Sequence, residues 1–501
     1  MSDQRERERT KIDGQAVFAG AAYLICVGLI FLLERLGASD GLVRALGPIF
    51  TLAGLALLGI LTRSTRVPAF FTADRAVPAP YAGLAFAAMA AGLVLCLGLA
   101  SDSPLPLAGA ASGLCISALA VGPLLRATGA STLSDLLATR FPSALLRPYF
   151  AGLLFAIGAL VAAAGFEAAV NAFVSLFAPS RGAAQTIIAI ILALIIVPGG
   201  LAGLLWGGAA SAGILLIVLY LPIGAQALVG DTPIAELLPD AGGWSDALAR
   251  AWSAGDPGDP KAHFLVAVAS ALAIAALPLF TSAAIGSFRE KEAVRAGAFG
   301  LIFAALIGLA AFVDVVLWPV PPGPMSSGLK SSAMLLAALM ISGAGVHSAS
   351  RGWGTNAGGA YRRFQPLASQ RLARSRALML VVIGLCAALS HRVVVEPRLE
   401  IVAAATLSLG LTAPLLALAF SARATSAHAI ASVLVGLATA LGLAALERRI
   451  PDAGRMLIGA LCAAAAGFIV GWSAAIFSPG EHETPPGRRD PFIDAPLDPG
   501  G

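Results

Sequence analysis

The chain has 501 residues, 58% hydrophobic and 12% charged, with a mean hydropathy of +0.85 and a net charge of +5. Soluble domains carry about twice that charged share, so the composition excludes a soluble domain of useful size. The 33 Lys and Arg alternate with apolar runs instead of gathering in one domain, which argues against a nucleic-acid partner.

The N-terminal "MSDQRERERTKIDGQ" has mixed charge and no small-residue cleavage site, so the helix after it is expected to be retained. About 20 apolar helical residues cross a bilayer, and such runs recur along the chain. Fourteen spans are predicted, near 16–33, 46–61, 80–99, 105–125, 147–177, 184–198, 201–221, 263–288, 293–318, 330–350, 376–390, 400–421, 426–446 and 455–477. The run at 147–177 is too long for an upright crossing and is expected to tilt or to extend beyond the lipid. The Pro/Gly/Asp-rich stretch at 222–262 reads as an extracytoplasmic loop, and residues 478–501 as a disordered cytoplasmic tail.

Fourteen spans put both termini on one side. That side collects 22 Lys and Arg and the other collects 11. The richer side is expected to be cytoplasmic, in the inner membrane of a bacterium.

Few polar residues interrupt the spans. Glu167, with Asn171 one turn later, falls near the middle of a span. A carboxylate there costs several kcal/mol unless it is paired, protonated or hydrated. It reads either as an ion or proton site or as a neutral group hydrogen-bonded inside the bundle. Asp314, four residues before Trp318, reads as interfacial. "GVHSASRGWGTNAGG", with His347, Ser348 and Arg351, is either a polar gating segment or a helix end dissolving into a basic loop, and the loop reading is preferred. His391 and Glu447 fall at span ends. The five cysteines (Cys26, Cys96, Cys115, Cys386, Cys462) lie inside apolar runs and read as small core residues. No P-loop, HExxH, CxxC or nucleophile elbow is present, so an enzyme is not expected. "AGLAFAAMAAG" is built almost wholly of small residues. Such a helix either packs tightly on its neighbours or exposes its backbone to a solute.

Four blocks in register resemble the sodium:solute symporter family. They are "TADRAVPAPYAGLAFAAMAAG", "PLLRATGASTLSDLLATRFPSALLR" from Pro123 to Arg147, "PGGLAGLLWGG" from Pro198 to Gly208, and "ALPLFTSAAIGSFREKEAVRAGAFGLIFAAL" from Ala276 to Leu306. The extra N-terminal helix ending "LLERLGAS" and the "VPAPY" are similar to the cation/acetate symporter branch.

The resemblance implies an all-α membrane fold with two inverted five-helix repeats, as in the leucine-transporter fold. They would lie at 80–221 and 263–421, with two helices before them (in 1–66) and two after (426–477). It implies an unwound middle of the first core helix at Ala88, Ala91 and Gly92. Sodium would be held by the carbonyls of Ala88 and Ala91 and by hydroxyls of the eighth core helix. The hydroxyl positions fall on Gly343 and Ala344, with Ser342 one residue away. Leu279, Ala283, Met89 and Gly207 to Ala209 also stand where relatives carry polar groups. Sodium dependence is therefore expected to be weak or absent, with Glu167 the candidate for coupling to H+ in place of Na+. The implied function is secondary transport of a small organic solute, such as a short monocarboxylate, by alternating access in a lipid bilayer. The alternative is a transporter-like sensor or membrane partner that binds a solute without moving it. No other cofactor is expected, and the sequence leaves the oligomeric state open.

Overall fold

The computed structural model describes residues 2–97, 104–229, 260–312, 324–355, 368–392, 396–419, 421, 423–446 and 453–477. Asp314, Trp318, Glu447, most of the 222–262 stretch and the 478–501 tail lie outside these residues. All regular structure in the described residues is helical. Among the described residues, twelve helices are long and apolar enough to cross a membrane. A thirteenth crossing is a bent pair, and the 16-residue apolar helix Arg181–Ile196 is shorter.

Two helices come first, α1 (Ser2–Arg35) and α2 (Asp40–Leu61). After the short α3 (Val67–Thr72), three successive residues, Ala73, Asp74 and Arg75, turn the chain in the left-handed region with φ near 51–52°. The next segments are α4 (Ala79–Leu97), α5 (Pro104–Ile116), α6 (Gly122–Ala127), α7 (Leu133–Arg140), α8 (Leu146–Phe177), α9 (Arg181–Ile196) and α10 (Leu201–Val229). The second half holds α11 (Pro260–Ala275), α12 (Ser282–Ile285), α13 (Glu290–Phe312), α14 (Pro324–Thr355), α15 (Ala368–Arg392), α16 (Pro397–Leu407) and α17 (Ala413–Ala419). Two more helices, α18 (Ser426–Leu446) and α19 (Ala453–Phe477), pair with each other at the end. At 32 residues, α8 is about 48 Å long, as the length of its apolar run predicts.

The two halves pack as an inverted repeat. The first helix of one half lies on the second helix of the other, α4 on α13 and α11 on α5. Lipid offers no hydrophobic drive between helices, so close approach of small residues has to hold them. A Cβ on Gly83 would sit 2.7 Å from Phe299 Cβ, and one on Gly113 would sit 2.7 Å from Ile274 Cβ. The third helices of the halves, α8 and α14, cross at the centre and make the longest seam.

The first helix of each half behaves differently. In the second half the helix breaks. Pro278 has no N–H to give and holds Leu277 in extended backbone (φ −67°, ψ 125°). A 3-10 turn at Pro278–Thr281 follows, and the two parts are bent by 47°. In the first half the expected unwinding at Ala88 to Gly92 is absent. Helix α4 runs without interruption from Ala79 to Leu97. Nothing in "AFAAMAAG" removes a backbone donor, and Ala is the best helix former. Two π-helical turns, Ser117–Val121 between α5 and α6 and Ser408–Thr412 between α16 and α17, interrupt other helices of the bundle.

Candidate functional site

The small-residue stretch of α4 is a buried packing face. Ala88 and Gly92 are buried and Ala91 is partly buried. A Cβ on Gly92 would meet Ile341 Cβ at 2.7 Å, so α4 and α14 touch almost backbone to backbone. Ser342 lies close by, but its hydroxyl donates to Ala162 O of α8 at 2.8 Å. Gly343 faces Ile196 and Leu204 instead. Ala344 is buried beside the broken helix. The structure therefore sets Gly92 in the seam of α4 with α14 and Ser342 in the seam of α8 with α14, and turns Gly343 towards Ile196 and Leu204. The carbonyls of Ala88 and Ala91 belong to the ladder of an unbroken helix. A hard cation needs several oxygens at once, so these residues as arranged do not fit sodium. Among the described residues no group of three His, Cys, Asp or Glu is placed to hold a metal.

The centre between α4 and the bend at Pro278 is filled by side chains. The rings of Phe86 and Phe280 lie 5.5 Å apart. Ser282 Oγ approaches Met89 Sδ at 3.6 Å. All four side chains are buried.

Space opens towards the end of the bundle where α8 stops and α16 begins. A cavity of about 520 Å³ lies there among α4, α8, α14 and α16. Its polar groups are Asn171, Ser175, Glu396 and Arg398, and its apolar wall includes Leu95, Cys96 and Ala172.

Glu167 is placed beside this cavity, not at mid-helix. It stands ten residues from the end of the 32-residue α8. Ala178 ends α8 in the left-handed region, and Ser180 caps α9 by accepting from Ala183 N at 3.4 Å. That short turn carries Arg181 back, and its guanidinium pairs with Glu167 Oε1. Arg181 also donates to Asn171 Oδ1 at 3.3 Å. Ser390 Oγ donates to Glu167 Oε2 at 2.5 Å, and Gln185 Nε2 donates to Ser390 Oγ at 2.9 Å. Both carboxylate oxygens of Glu167 are thus occupied, one by a cation. This satisfied pair weakens the reading of Glu167 as the group that exchanges a proton.

Sequence reasoning missed Glu400. It stands at the first residue of the predicted span 400–421 and drew no separate reading. The helix begins at Pro397, a residue favoured at the first helical position, and that signal would have placed Glu400 inside. It is 9% exposed, and its Oε2 has no hydrogen-bond partner among the described residues.

The opposite end of the bundle is tied by arginines. Arg126 of α6 donates from Nε to Ser287 O at 2.8 Å and from Nη2 to Phe288 O at 2.6 Å. Arg140 of α7 reaches Ala419 O at 3.3 Å and Ser421 O at 2.5 Å. Arg376 of α15 reaches Ser64 O at 2.5 Å and Pro198 O at 3.0 Å. Arg75 donates to Gly129 O at 3.0 Å. Several of these carbonyls lie at helix C-termini, which are left without intrahelical partners and carry the negative end of the dipole. The charged residues that oriented the chain by counting therefore also close it. Arg351 belongs to this set and corrects the loop reading. Helix α14 continues to Thr355, Arg351 is 4% exposed, and it donates to Phe71 O. His347 is buried one turn earlier, with Nε2 unpartnered among the described residues. It lines a void of about 20 Å³ shared with Thr281 and Ser282, room for roughly one water.

No family model and no curated protein sequence matches the chain. Solved structures do. A substrate-bound, outward-open Na+-coupled sialic acid symporter superposes with a TM-score of 0.68 at 17% identity, covering 89% of this chain and 99% of that one. A manganese transporter of Eremococcus coleocola (TM-score 0.41, 14% identity, 82% and 95% covered) and MhsT in complex with L-phenylalanine (0.36, 16%, 84% and 98%) are more distant. The chain is a multi-pass membrane protein with the leucine-transporter type of inverted-repeat fold.

Proposed function

We propose that the protein is a secondary transporter of the sodium:solute symporter type, similar to the cation/acetate branch, that moves a small organic solute by alternating access. The observation that carries this reading is the asymmetry of the bundle. One end holds a cavity of about 520 Å³ and the other is closed by arginine ties. A carrier caught with one gate open has that form. The repeats are taken as 80–221 and 263–421. The arginine end is the cytoplasmic one, which places both termini inside and the cavity on the outer face of a bacterial inner membrane. Arg398 and Asn171 in the cavity suit a solute with a carboxylate, such as a short monocarboxylate.

The unbroken α4 and the Phe86–Phe280–Met89 core favour a second reading, a solute sensor or membrane partner that keeps the scaffold without cycling. Proteoliposomes loaded with labelled acetate, lactate or pyruvate separate the two. The transport reading expects solute accumulation or exchange above empty liposomes, with little dependence on a sodium gradient. Saturable binding without any flux supports the sensor.

A further inference from the structure

We propose that Glu400 is a proton-binding site under the floor of the cavity, and that it couples a proton to solute movement. The coupling part rests on the transport reading, whereas the site itself does not. The argument starts from what surrounds the side chain. Glu396, at the N-cap of α16, and Pro397 and Arg398 in its first turn line the cavity. Glu400 is one turn deeper, about 6 Å further along the helix and on the same face as Glu396. From α8, Glu167 faces it as a like charge. The thiols of Cys96 in α4 and of Cys386 in α15 lie within electrostatic reach of it. The other side of α16 packs on apolar residues of α11 and α19, among them Ala269, Ala273, Leu457 and Ala460.

Among the described residues, the cation tied into this group, Arg181, is bonded to Glu167. Glu400 is therefore the acid left without compensation. It is buried, its Oε2 is unpartnered among the described residues, and its charged neighbour repels it. A carboxylate in that position costs several kcal/mol. It escapes the cost by carrying a proton or by holding a cation. The neighbouring groups decide between these. Two thiols and one carboxyl already bonded elsewhere are a poor shell for a hard monovalent ion, which wants oxygen, and thiols suit softer metals. A proton needs no shell. Cys96 itself lines the cavity, so water reaching that wall gives the proton a path in.

The pairing also explains why Glu167 stays occupied. Its Arg181 and Ser390 contacts occupy both of its carboxyl oxygens, whereas Glu400 Oε2 has no partner among the described residues. Two acids whose surroundings drive them apart in this way divide the roles of fixed charge and exchangeable proton.

The test is infrared difference spectroscopy on the purified full-length protein during a pH step. The expected result is a protonated-carboxyl band that titrates in the wild type, is lost in Glu400→Gln and persists in Glu167→Gln. A band that survives Glu400→Gln, or no titrating carboxyl in the wild type, overturns the site. So does a band abolished by sodium chloride but not by choline chloride, which would make the ligand a metal cation. Circular dichroism and gel filtration of Glu400→Gln confirm a folded variant. Labelled acetate in proteoliposomes is the separate arm. Retained acetate exchange with loss of pH-gradient-driven accumulation in Glu400→Gln supports coupling. Accumulation unchanged in that variant overturns coupling. Absence of acetate flux in the wild type counts against coupled acetate transport, and the infrared result still decides the proton site.

Discussion

Removing Arg181 is expected to harm the protein more than removing the acid it pairs with. Glu167 is 3% exposed at its side chain and Arg181 is 37% exposed. In Arg181→Met the carboxylate stays buried with Ser390 as its remaining donor. Breaking a buried pair from that side costs about 3–5 kcal/mol. In Glu167→Gln the guanidinium is left, but water already reaches it. The loss is then that of a charge-assisted hydrogen bond, about 1.5–3 kcal/mol, with exposure pulling it to the lower end. The double variant should cost less than the two singles added, with a coupling of about 1–3 kcal/mol. Thermal unfolding of the four proteins in one detergent, followed by tryptophan fluorescence, measures all three quantities. Additive losses, or an Arg181→Met variant as stable as Glu167→Gln, would refute the claim that this pair holds α8 and α9 together at the cavity wall.

Two further outcomes follow from the helix seams and the arginine ties. Gly165→Val should sharply lower the yield of monodisperse protein, because a Cβ at Gly165 would lie 2.8 Å from Ala338 O and from Ile341 Cγ2 and overpacking costs about 1–3 kcal/mol or more. Ser342→Ala at the same seam should cost only about 0.6 kcal/mol, a typical hydrogen bond between membrane helices, and gel-filtration yield compares the two. Arg126→Met removes both bonds to Ser287 O and Phe288 O and should loosen the arginine end. A cysteine placed at Ser282, which is 4% exposed, should then react faster with a membrane-permeant maleimide, and an unchanged rate counts against a gating role for the tie.

Apolar run length alone determined the helices, because in lipid every backbone group must be bonded within its own segment. The break at Pro278 falls inside a run that reads as one span over 263–288, and its cause is local, since a missing N–H acts wherever the residue stands. The length of α8 was legible too, from the mostly apolar run over 147–177. What local reading could not decide was which surface each helix meets. "AFAAMAAG" is equally suited to an unwound ion site and to a tight seam, and only the position of Ile341 against Gly92 selects the seam. Arg351 reads as a loop cation until Phe71 O is found beside it, 280 residues away in the chain. Glu167 and Arg181 are 14 residues apart and their pairing needs a turn of known shape. Glu400 lies 233 residues from Glu167. Whether a buried acid is satisfied depends on which donors other helices bring to it, and that is a property of packing, not of spacing along one chain.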